Sequence, residues 1–203
     1  HVLRVIRWGP LIQHLVKLPF QRLNAISAVG FMGIFLLPLR LGEFVRPYLV
    51  HKEVPEVSMS ALVGTVVIER VFDGLIVTLL LFVALSSASG SLERFNAVTV
   101  GAWLSLAVFV AGLTTLILLH NFKDYFYRKL HLLLRPLPIK ISHRVIEMMD
   151  GFSAGLSTIP NRNVMASFSA TTLLYWCLNG FAIWAVAPGF GLHIELSTGF
   201  MMM

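Results

Sequence analysis

The stretch ALVGTVVIERVFDGLIVTLLLFVAL, residues 61–85, decides the fold of this 203-residue chain. It is long enough to form a helix that crosses a bilayer, because about 20 apolar residues span a hydrocarbon core of about 30 Å. Glu69, Arg70 and Asp73 nevertheless lie near its middle. Ionisable residues at that depth cost roughly 2.5–3.5 kcal/mol each on insertion scales and usually serve a function. The stretch therefore predicts a membrane span and also the position of a functional site.

The composition of the whole chain favours a membrane protein. Hydrophobic residues make up 57% of the chain and charged residues 13%, whereas soluble domains average about 45–50% and about 25%. Too little polar surface remains to cover a water-soluble globule, which excludes a soluble enzyme and a disordered tail. The formal net charge of +6 comes from basic residues that flank apolar runs. This placement is typical of membrane proteins and argues against a nucleic-acid partner.

Two further stretches are predicted to cross the membrane. Residues 97–119 and 164–187 contain no Asp, Glu, Lys or Arg, and both reach the length of a span. Together with residues 61–85 they predict three transmembrane helices in a single transmembrane domain over residues 1–203.

Basic segments with interspersed aromatic residues are predicted to lie on the membrane surface. Residues 1–23 form an interfacial segment in which we expect Arg7 and Trp8 at the headgroup level and chain breaks at Pro10 and Pro19. Residues 120–160 are predicted to form interfacial helices on the cytoplasmic leaflet, because Lys and Arg concentrate there.

Residues 24–50 are predicted to form a re-entrant helical hairpin. The apolar part, residues 24–39, is too short to cross a bilayer and contains Gly30, Gly33 and Pro38. Lys and Arg on both sides of it assign both flanks to the cytoplasm, so the chain crosses an even number of times between them. A segment that enters and leaves on one side satisfies this, and it implies a surrounding cavity. An ordinary tilted span with an uninformative charge bias is the alternative.

Six charged residues in two short blocks form the predicted site. In the second block Glu69 and Asp73 share a helix face, and Arg70 can pair with Asp73. In the first block three residues follow one another at three-residue steps and form a stripe of alternating sign. The six charges sum to zero, so we expect one buried network between the hairpin and the helix over residues 61–85. Its members are Arg40, Glu43, Arg46, Glu69, Arg70 and Asp73.

Two interpretations of this network are open. In the first, it only locks the hairpin to the helix. In the second, part of it faces a cavity and handles a charged headgroup. Arginine suits phosphate because its fork donates paired hydrogen bonds. Under this interpretation Arg40 and Arg46 bind the phosphate, and Glu69 or Asp73 carries a coupling proton.

No pattern in the sequence predicts covalent catalysis, a metal site or a cofactor. The histidines lack metal-ligand spacing, no serine has a recognisable base, and there is no glycine-rich phosphate loop. The single cysteine, Cys177, excludes an internal disulfide. Trp176 is expected to serve in packing or at a membrane interface. Gly151 and Gly155 fit a close helix–helix contact.

The two charged blocks resemble the transmembrane, flippase-like domain family of lysylphosphatidylglycerol synthases. The pattern of that family is Pro-x-Arg-x-Gly-Glu-x-x-Arg, followed roughly twenty to thirty residues later by Glu-Arg-x-x-Asp. This chain has the first motif over residues 38–46 and the second over residues 69–73. The basic segment over residues 3–8 is also similar to the start of the family.

The resemblance implies an all-α, polytopic protein of a bacterial or archaeal cytoplasmic membrane. The best understood relatives move an aminoacylated phospholipid across that membrane. The implied function is therefore translocation of an anionic or aminoacylated phospholipid through a polar cavity, with the bilayer and its phospholipids as partners and no cofactor. The alternatives are a lipid-modifying or polyprenyl-phosphate-related envelope enzyme, an accessory subunit of one, and a non-catalytic membrane scaffold.

The sequence also departs from the family pattern. Phe35 or a neighbour stands where the family has an asparagine shortly before the proline, and a second Pro- and Gly-rich block ending in Gly-x-x-Glu is missing. The chain begins at His1 and ends inside an apolar stretch at Met203, so we expect a fragment of a larger bundle. Its partner would be the second half of the same protein or a second copy. No soluble aminoacyl-transferase domain is present, so lysyl transfer is not predicted.

Overall fold

A computed structural model describes residues 1–38, 41–87, 96–134, 138–157, 159 and 161–203. Within these ranges the chain forms helices and contains no strand, which confirms the all-α prediction. The helices are α1 (Val2–Ile12), α2 (Phe20–Leu36), α3 (Gly42–Glu53), α4 (Met59–Ser87), α5 (Asn96–Asn121), α6 (Lys123–Leu134), α7 (Ile139–Leu156), α8 (Arg162–Val186) and α9 (Leu196–Met201). A short 3-10 turn, Ala187–Phe190, lies between α8 and α9.

The chain divides into two compact units. The first unit consists of His1–Glu69 and Thr114–Phe168, and the second of Arg70–Leu113 and Ser169–Met203. Three helices, α4, α5 and α8, contribute residues to both units.

In the first unit, α1 buries one of its faces. Val5, Trp8, Leu11 and Ile12 follow at helical spacing and are almost fully buried, as expected for an amphipathic helix. Arg7 is buried as well. Protein atoms therefore surround both side chains, which do not face lipid headgroups as expected. The position of residues 1–23 at the membrane interface stays a prediction.

The predicted break at Pro10 is also corrected by the structure. α1 continues past this residue to Ile12. Pro10 lies in the last turn of the helix, where the missing N–H removes one hydrogen bond without interrupting a longer ladder. Pro19 does mark a boundary, since it is the N-cap of α2.

The sequence ends α2 and begins α3 through a proline and a glycine. Leu37 has an extended backbone, with φ −99° and ψ 140°, because a residue that precedes a proline is pushed out of the helical region. The two helices then pack against each other at their glycines. A Cβ on Gly33 would lie 3.1 Å from the Cα of Gly42, and a Cβ on Gly42 would overlap the backbone of Ile34.

An ion pair joins the two helices at the end of the pair opposite to these glycines. Arg22 Nε near the start of α2 lies 3.5 Å from Glu53 Oε1 at the end of α3. The helices therefore run antiparallel, with their outer ends together. With 17 and 12 residues, they measure about 25 Å and about 18 Å at 1.5 Å per residue.

Glycines also bring α7 against the beginning of α4. A Cβ on Gly155 would overlap the carbonyl oxygen of Ala61, and one on Gly64 would lie 3.3 Å from the Cα of Gly155. Gly151 approaches the Ser58 side chain in the same way. The close helix contact predicted for Gly151 and Gly155 is confirmed, since only residues without a side chain permit this separation.

In the second unit, too, glycines permit close contacts between helices. Gly74 of α4 faces the ring of Phe109 of α5, and Gly180 of α8 faces the ring of Phe200 of α9. Gly191, with φ +73°, follows the 3-10 turn and directs the chain back toward α9. This left-handed conformation is one that glycine adopts without steric cost.

Two helices of the described chain are long and apolar enough to cross a membrane by length and composition. They are Ala97–Asn121 and Arg162–Phe190, and in each only 11% of the most apolar window is buried. A core helix of a soluble protein would instead be mostly covered. α4 has 29 residues but carries three charged residues near its middle. That residues 61–85 cross the membrane therefore remains a prediction.

Glycine 42 offers a direct test of the α2–α3 contact. We expect Gly42→Ala to lower the thermal unfolding midpoint in detergent, because overpacking typically costs about 1–3 kcal/mol. Gly101→Ala in α5 is the matched control, since a Cβ there meets open space. That control should leave the midpoint unchanged or raise it slightly. Unfolding is monitored by circular dichroism. Equal midpoints for the two variants would contradict the close packing of α2 against α3.

Candidate functional site

Glu69 is a fully buried carboxylate in the first unit, with 0% of its surface exposed. It lies ten residues after Met59, the first residue of α4, or about 15 Å along the helix axis. Arg46 of α3 donates from Nη2 to Glu69 Oε2 at 2.8 Å. Arg7 of α1 donates from Nη2 to Glu69 Oε1. One carboxylate thus binds two buried guanidinium groups that come from two other helices.

Trp8 fixes the position of this cluster. Its ring lies 4.8 Å from the guanidinium carbon of Arg46, a separation at which a cation is attracted to an aromatic face. Its indole N–H donates to Thr65 Oγ1 at 3.1 Å. The Thr65 hydroxyl in turn donates to the Leu62 carbonyl at 2.7 Å. Thr65 lies one turn before Glu69, so α1 contacts α4 at two successive turns.

Gly30 lets α3 bring Arg46 close to α2. A Cβ on Gly30 would overlap the aliphatic part of the Arg46 side chain. Ser27 lies one turn earlier on the same face and is buried. Its hydroxyl has no hydrogen-bond partner among the residues that the structure describes. An unsatisfied buried hydroxyl lowers the stability of a fold by about 1–3 kcal/mol. Such a group is therefore unusual in the interface between α2 and α3.

We define the Glu69 cluster as Arg7, Trp8, Arg46, Thr65 and Glu69. Its five members come from three helices, α1, α3 and α4. All five are buried in the first unit and linked by direct contacts, because both arginines bind Glu69, Trp8 contacts Arg46, and Thr65 accepts from Trp8.

A second charged group lies in the second unit around Asp73. Arg70 Nη2 lies 3.1 Å from Asp73 Oδ2, as the three-residue spacing predicts. Trp176 of α8 donates from Nε1 to Asp73 Oδ1 at 2.9 Å. Asp73 is buried, whereas 38% of the Arg70 side chain is exposed. Trp176, expected to serve in packing or at an interface, thus holds a carboxylate in place.

The structure brings four of the six predicted site residues into direct ion pairs. Arg46 binds Glu69, and Arg70 binds Asp73. Glu43 lies half-buried in the first turn of α3. Arg40 falls outside the described residues. The assignment of all six to one headgroup-binding network stays a prediction.

Sequence reasoning missed Arg7, Trp8 and Trp176. Arg7 and Trp8 lie in a basic, aromatic-containing segment, and that pattern also describes an interfacial helix. The six chosen charges already summed to zero, so nothing called for a further cation. A usable signal was the order of residues in α1, where Trp8 shares its apolar face with Val5 and Leu11 and Arg7 directly precedes it.

The described residues contain no group of three or more His, Cys, Asp or Glu that could hold a metal ion. The chemistry of the Glu69 cluster is that of oxyanion binding. A guanidinium carries five N–H donors in a planar fork, and it binds carboxylate and phosphate with the same geometry. The two arginines can therefore serve a carboxylate or a phosphate at this position.

A family model described as the lysylphosphatidylglycerol synthase TM region matches residues 1–203, the whole chain. The match includes both charged blocks and the helices α1 to α9. No curated protein matches the chain, and no solved structure matches it.

A double-mutant cycle tests the Arg46–Glu69 pair. Removing one partner of a buried ion pair costs about 3–5 kcal/mol, so Arg46→Ala and Glu69→Gln should each destabilise the protein. The double variant should lose less than the sum, with a coupling of about 0.5–3 kcal/mol, as measured by thermal unfolding in detergent. The exposed Arg22–Glu53 pair, changed to Ala and Gln, is the control and should show a coupling of at most ~1 kcal/mol. Strictly additive losses at Arg46 and Glu69 would contradict direct pairing.

Proposed function

Since the chain belongs to the lysylphosphatidylglycerol synthase TM region family, we propose that it translocates an anionic or aminoacylated phospholipid across the cytoplasmic membrane. In this proposal it is a lipid transporter and not an enzyme. The observation that carries the proposal is the Glu69 cluster, in which two buried guanidinium groups bind one buried carboxylate. Ionisable residues buried within a membrane protein commonly mark substrate or ion pathways.

The geometry of α2 and α3 supports a re-entrant hairpin. Their outer ends meet at the Arg22–Glu53 ion pair, so both ends belong on the same side of the membrane. At about 18 Å, α3 is too short to cross a hydrocarbon core of about 30 Å. The turn between the helices then lies within the membrane, where non-helical backbone requires surrounding protein or a water-filled cavity. Such broken helices near the midplane are a recurrent feature of transport sites.

Exchange of oxyanions gives a mechanism for headgroup passage. A lipid phosphate that reaches Arg46 can replace the Glu69 carboxylate, because the guanidinium fork fits both groups. Glu69, once displaced, is neutralised by a proton or by the ammonium of an aminoacylated headgroup. When the phosphate leaves, the carboxylate returns to the arginines. Each state keeps every buried charge next to an opposite charge, which avoids the large penalty of an isolated one.

Ser27 supports a phosphate position next to Arg46. Its buried hydroxyl has no hydrogen-bond partner among the described residues, and it lies one turn from Gly30, which contacts the Arg46 side chain. A phosphate oxygen at this point would accept the hydroxyl proton and satisfy the group. Buried polar groups are rarely left unpaired in native structures.

Cysteine accessibility tests the hairpin. In a Cys177→Ser background, we expect Arg22→Cys and Lys52→Cys to react with a membrane-impermeant maleimide from the cytoplasmic side only. Leu37→Cys, near the turn, should resist the same reagent from the outside. Labelling of Leu37→Cys from the outside would mean that the two helices cross the membrane, and labelling of Arg22→Cys and Lys52→Cys from opposite sides would contradict the paired ends.

Lipid translocation in liposomes tests the function. We expect the protein to move fluorescent phosphatidylglycerol, or its lysylated form, between leaflets without altering the lipid. Arg46→Lys keeps the charge but loses the fork, and Glu69→Gln removes the carboxylate that must return to the arginines for the phosphate to leave. Each should slow translocation at least about tenfold, equivalent to ~1.4 kcal/mol in the barrier. Arg22→Ala, which removes an exposed arginine of the same hairpin, should translocate at the wild-type rate.

The same assay separates the proposal from its alternatives. A chemically changed lipid would indicate a lipid-modifying enzyme. Wild-type translocation by folded Arg46→Lys and Glu69→Gln proteins would mean that the Glu69 cluster only holds helices together. A full-length protein that neither moves nor modifies lipid would indicate a scaffold. The thermal unfolding midpoint of each variant, measured in parallel, shows whether a lost rate reflects lost folded protein.

A further inference from the structure

A cavity of about 560 Å³ lies in the first unit between the start of α6 and the end of α7. Its volume falls in the range typical of small-molecule sites, about 300–1,000 Å³. None of its lining residues belongs to the Glu69 cluster. The lining residues are His120, Lys123, Tyr127, Asp150, Ser153, Ala154 and Ser157.

Two polar stripes face this cavity. On one side the polar residues occupy positions 120, 123 and 127, and on the other positions 150, 153 and 157. Lys123 and Tyr127 lie four residues apart on α6, and Asp150 and Ser153 lie three apart on α7, spacings that place side chains on one face of a helix. His120 adds to the first stripe from the last turn of α5, and Ser157 adds to the second as the C-cap of α7. Where two amphipathic helices meet, such faces are normally apolar. Here six hydrogen-bonding side chains occupy them, an arrangement that suits a polar ligand better than helix packing.

Internal hydrogen bonds fix the geometry of the cavity. The Tyr127 hydroxyl donates to Asp150 Oδ1 and so joins α6 to α7. The Ser157 hydroxyl donates to the Ala154 carbonyl at 2.7 Å, which leaves its oxygen as an acceptor. Ser153 has no hydrogen bond among the described residues, so its hydroxyl is available to a ligand.

The charges in the cavity are of both signs. Lys123 supplies a cation on the α6 side and Asp150 an anion on the α7 side, and the His120 imidazole of α5 also lines the cavity. A simple anion would be attracted to Lys123 but repelled by Asp150. A ligand that carries a phosphate and an ammonium group satisfies both, because lysine binds phosphate as a point charge and the second carboxylate oxygen of Asp150 can accept from an ammonium.

The position of the cavity points to a lipid as the source of that ligand. Lys123 lies two residues after the end of α5, whose residues Ala97–Asn121 are apolar and long enough to cross a membrane. Phe122 and Tyr125 beside it are more than half exposed. Aromatic side chains at the end of a span are typical of the headgroup level of a bilayer. A cavity at this level meets lipid headgroups.

We propose that this cavity binds the zwitterionic headgroup of a phospholipid, with the phosphate at Lys123, His120 and Ser153 and the ammonium at Asp150. The site is separate from the Glu69 cluster, and its occupation does not depend on whether that cluster transports lipid. It gives the protein a second lipid contact, at the membrane surface.

Lipid binding by charge-removing variants tests the site. The purified protein is titrated with phosphatidylethanolamine, which is zwitterionic, and with phosphatidylglycerol, which is anionic, and bound lipid is counted by native mass spectrometry. Lys123→Gln should lower the affinity for both lipids about tenfold, because it removes the phosphate contact. Asp150→Asn should weaken phosphatidylethanolamine about tenfold and leave phosphatidylglycerol unchanged or tighter, since the amide oxygen still accepts from Tyr127.

Matched controls come from the same region. Lys140→Gln and Glu147→Gln remove exposed charges of the same signs on α7, outside the cavity. They should leave both affinities within about twofold of the wild-type values. Equal losses in the controls would show attraction to surface charge in general and overturn the proposal. Phosphatidylethanolamine affinity unchanged in folded Asp150→Asn and Lys123→Gln would also overturn it.

A competition experiment with the free headgroup distinguishes a membrane phospholipid from a soluble compound with the same phosphate and ammonium groups. Glycerophosphoethanolamine at millimolar concentration should displace phosphatidylethanolamine from the wild-type protein, and this competition should vanish in Asp150→Asn. Binding of glycerophosphoethanolamine without any binding of the lipid would overturn the assignment to a membrane lipid. Because these measurements require no transport, their failure leaves the translocation assay as an independent test of the proposed function.

Discussion

The burial of the Glu69 carboxylate is the constraint on which the first unit depends. A carboxylate moved out of water loses several kcal/mol of solvation, so it must be met by donors at both oxygens. Arg7 supplies one and Arg46 the other. These arginines lie 62 and 23 residues away in sequence. The two ion pairs therefore tie α1 and α3 to α4, together with the Trp8–Thr65 hydrogen bond between α1 and α4.

Small residues make that arrangement geometrically possible. Gly30 gives the Arg46 stem room to pass over α2, and Gly42 allows α3 to lie directly against α2. Gly64 and Gly155 do the same where α7 meets α4. Close backbone approach by small residues is the usual way in which helices associate when lipid removes the hydrophobic difference between inside and outside. Charge therefore selects which helices meet, and glycine sets how closely they pack.

Much of the architecture could be predicted from local pattern. The apolar lengths predict the helices that the structure has as α4, α5 and α8, and Pro38 predicts the break after α2. The partner of a buried polar group is harder to predict, because it depends on contacts distant in sequence. Trp176 lies 103 residues from Asp73, and no spacing relates them. The contacts of Arg7 and Trp8 could not be predicted for a second reason. A basic aromatic segment has the same composition whether its charge faces lipid headgroups or a buried carboxylate.

The cost of the Glu69 cluster bears on what it is for. Replacing a buried ion network by apolar residues of similar volume is often neutral or stabilising by about 1–4 kcal/mol. The three charges of the Glu69 cluster are thus a poor choice if the only requirement is to join three helices. They suit a site at which an external oxyanion must at times take the place of an internal one. An apolar joint offers no such exchange, whereas a carboxylate held by arginines is already bound in the geometry that a phosphate needs. Under the proposed function, the burial that makes the cluster costly also strengthens the attraction between its arginines and an entering headgroup, which offsets the cost of removing that headgroup from water.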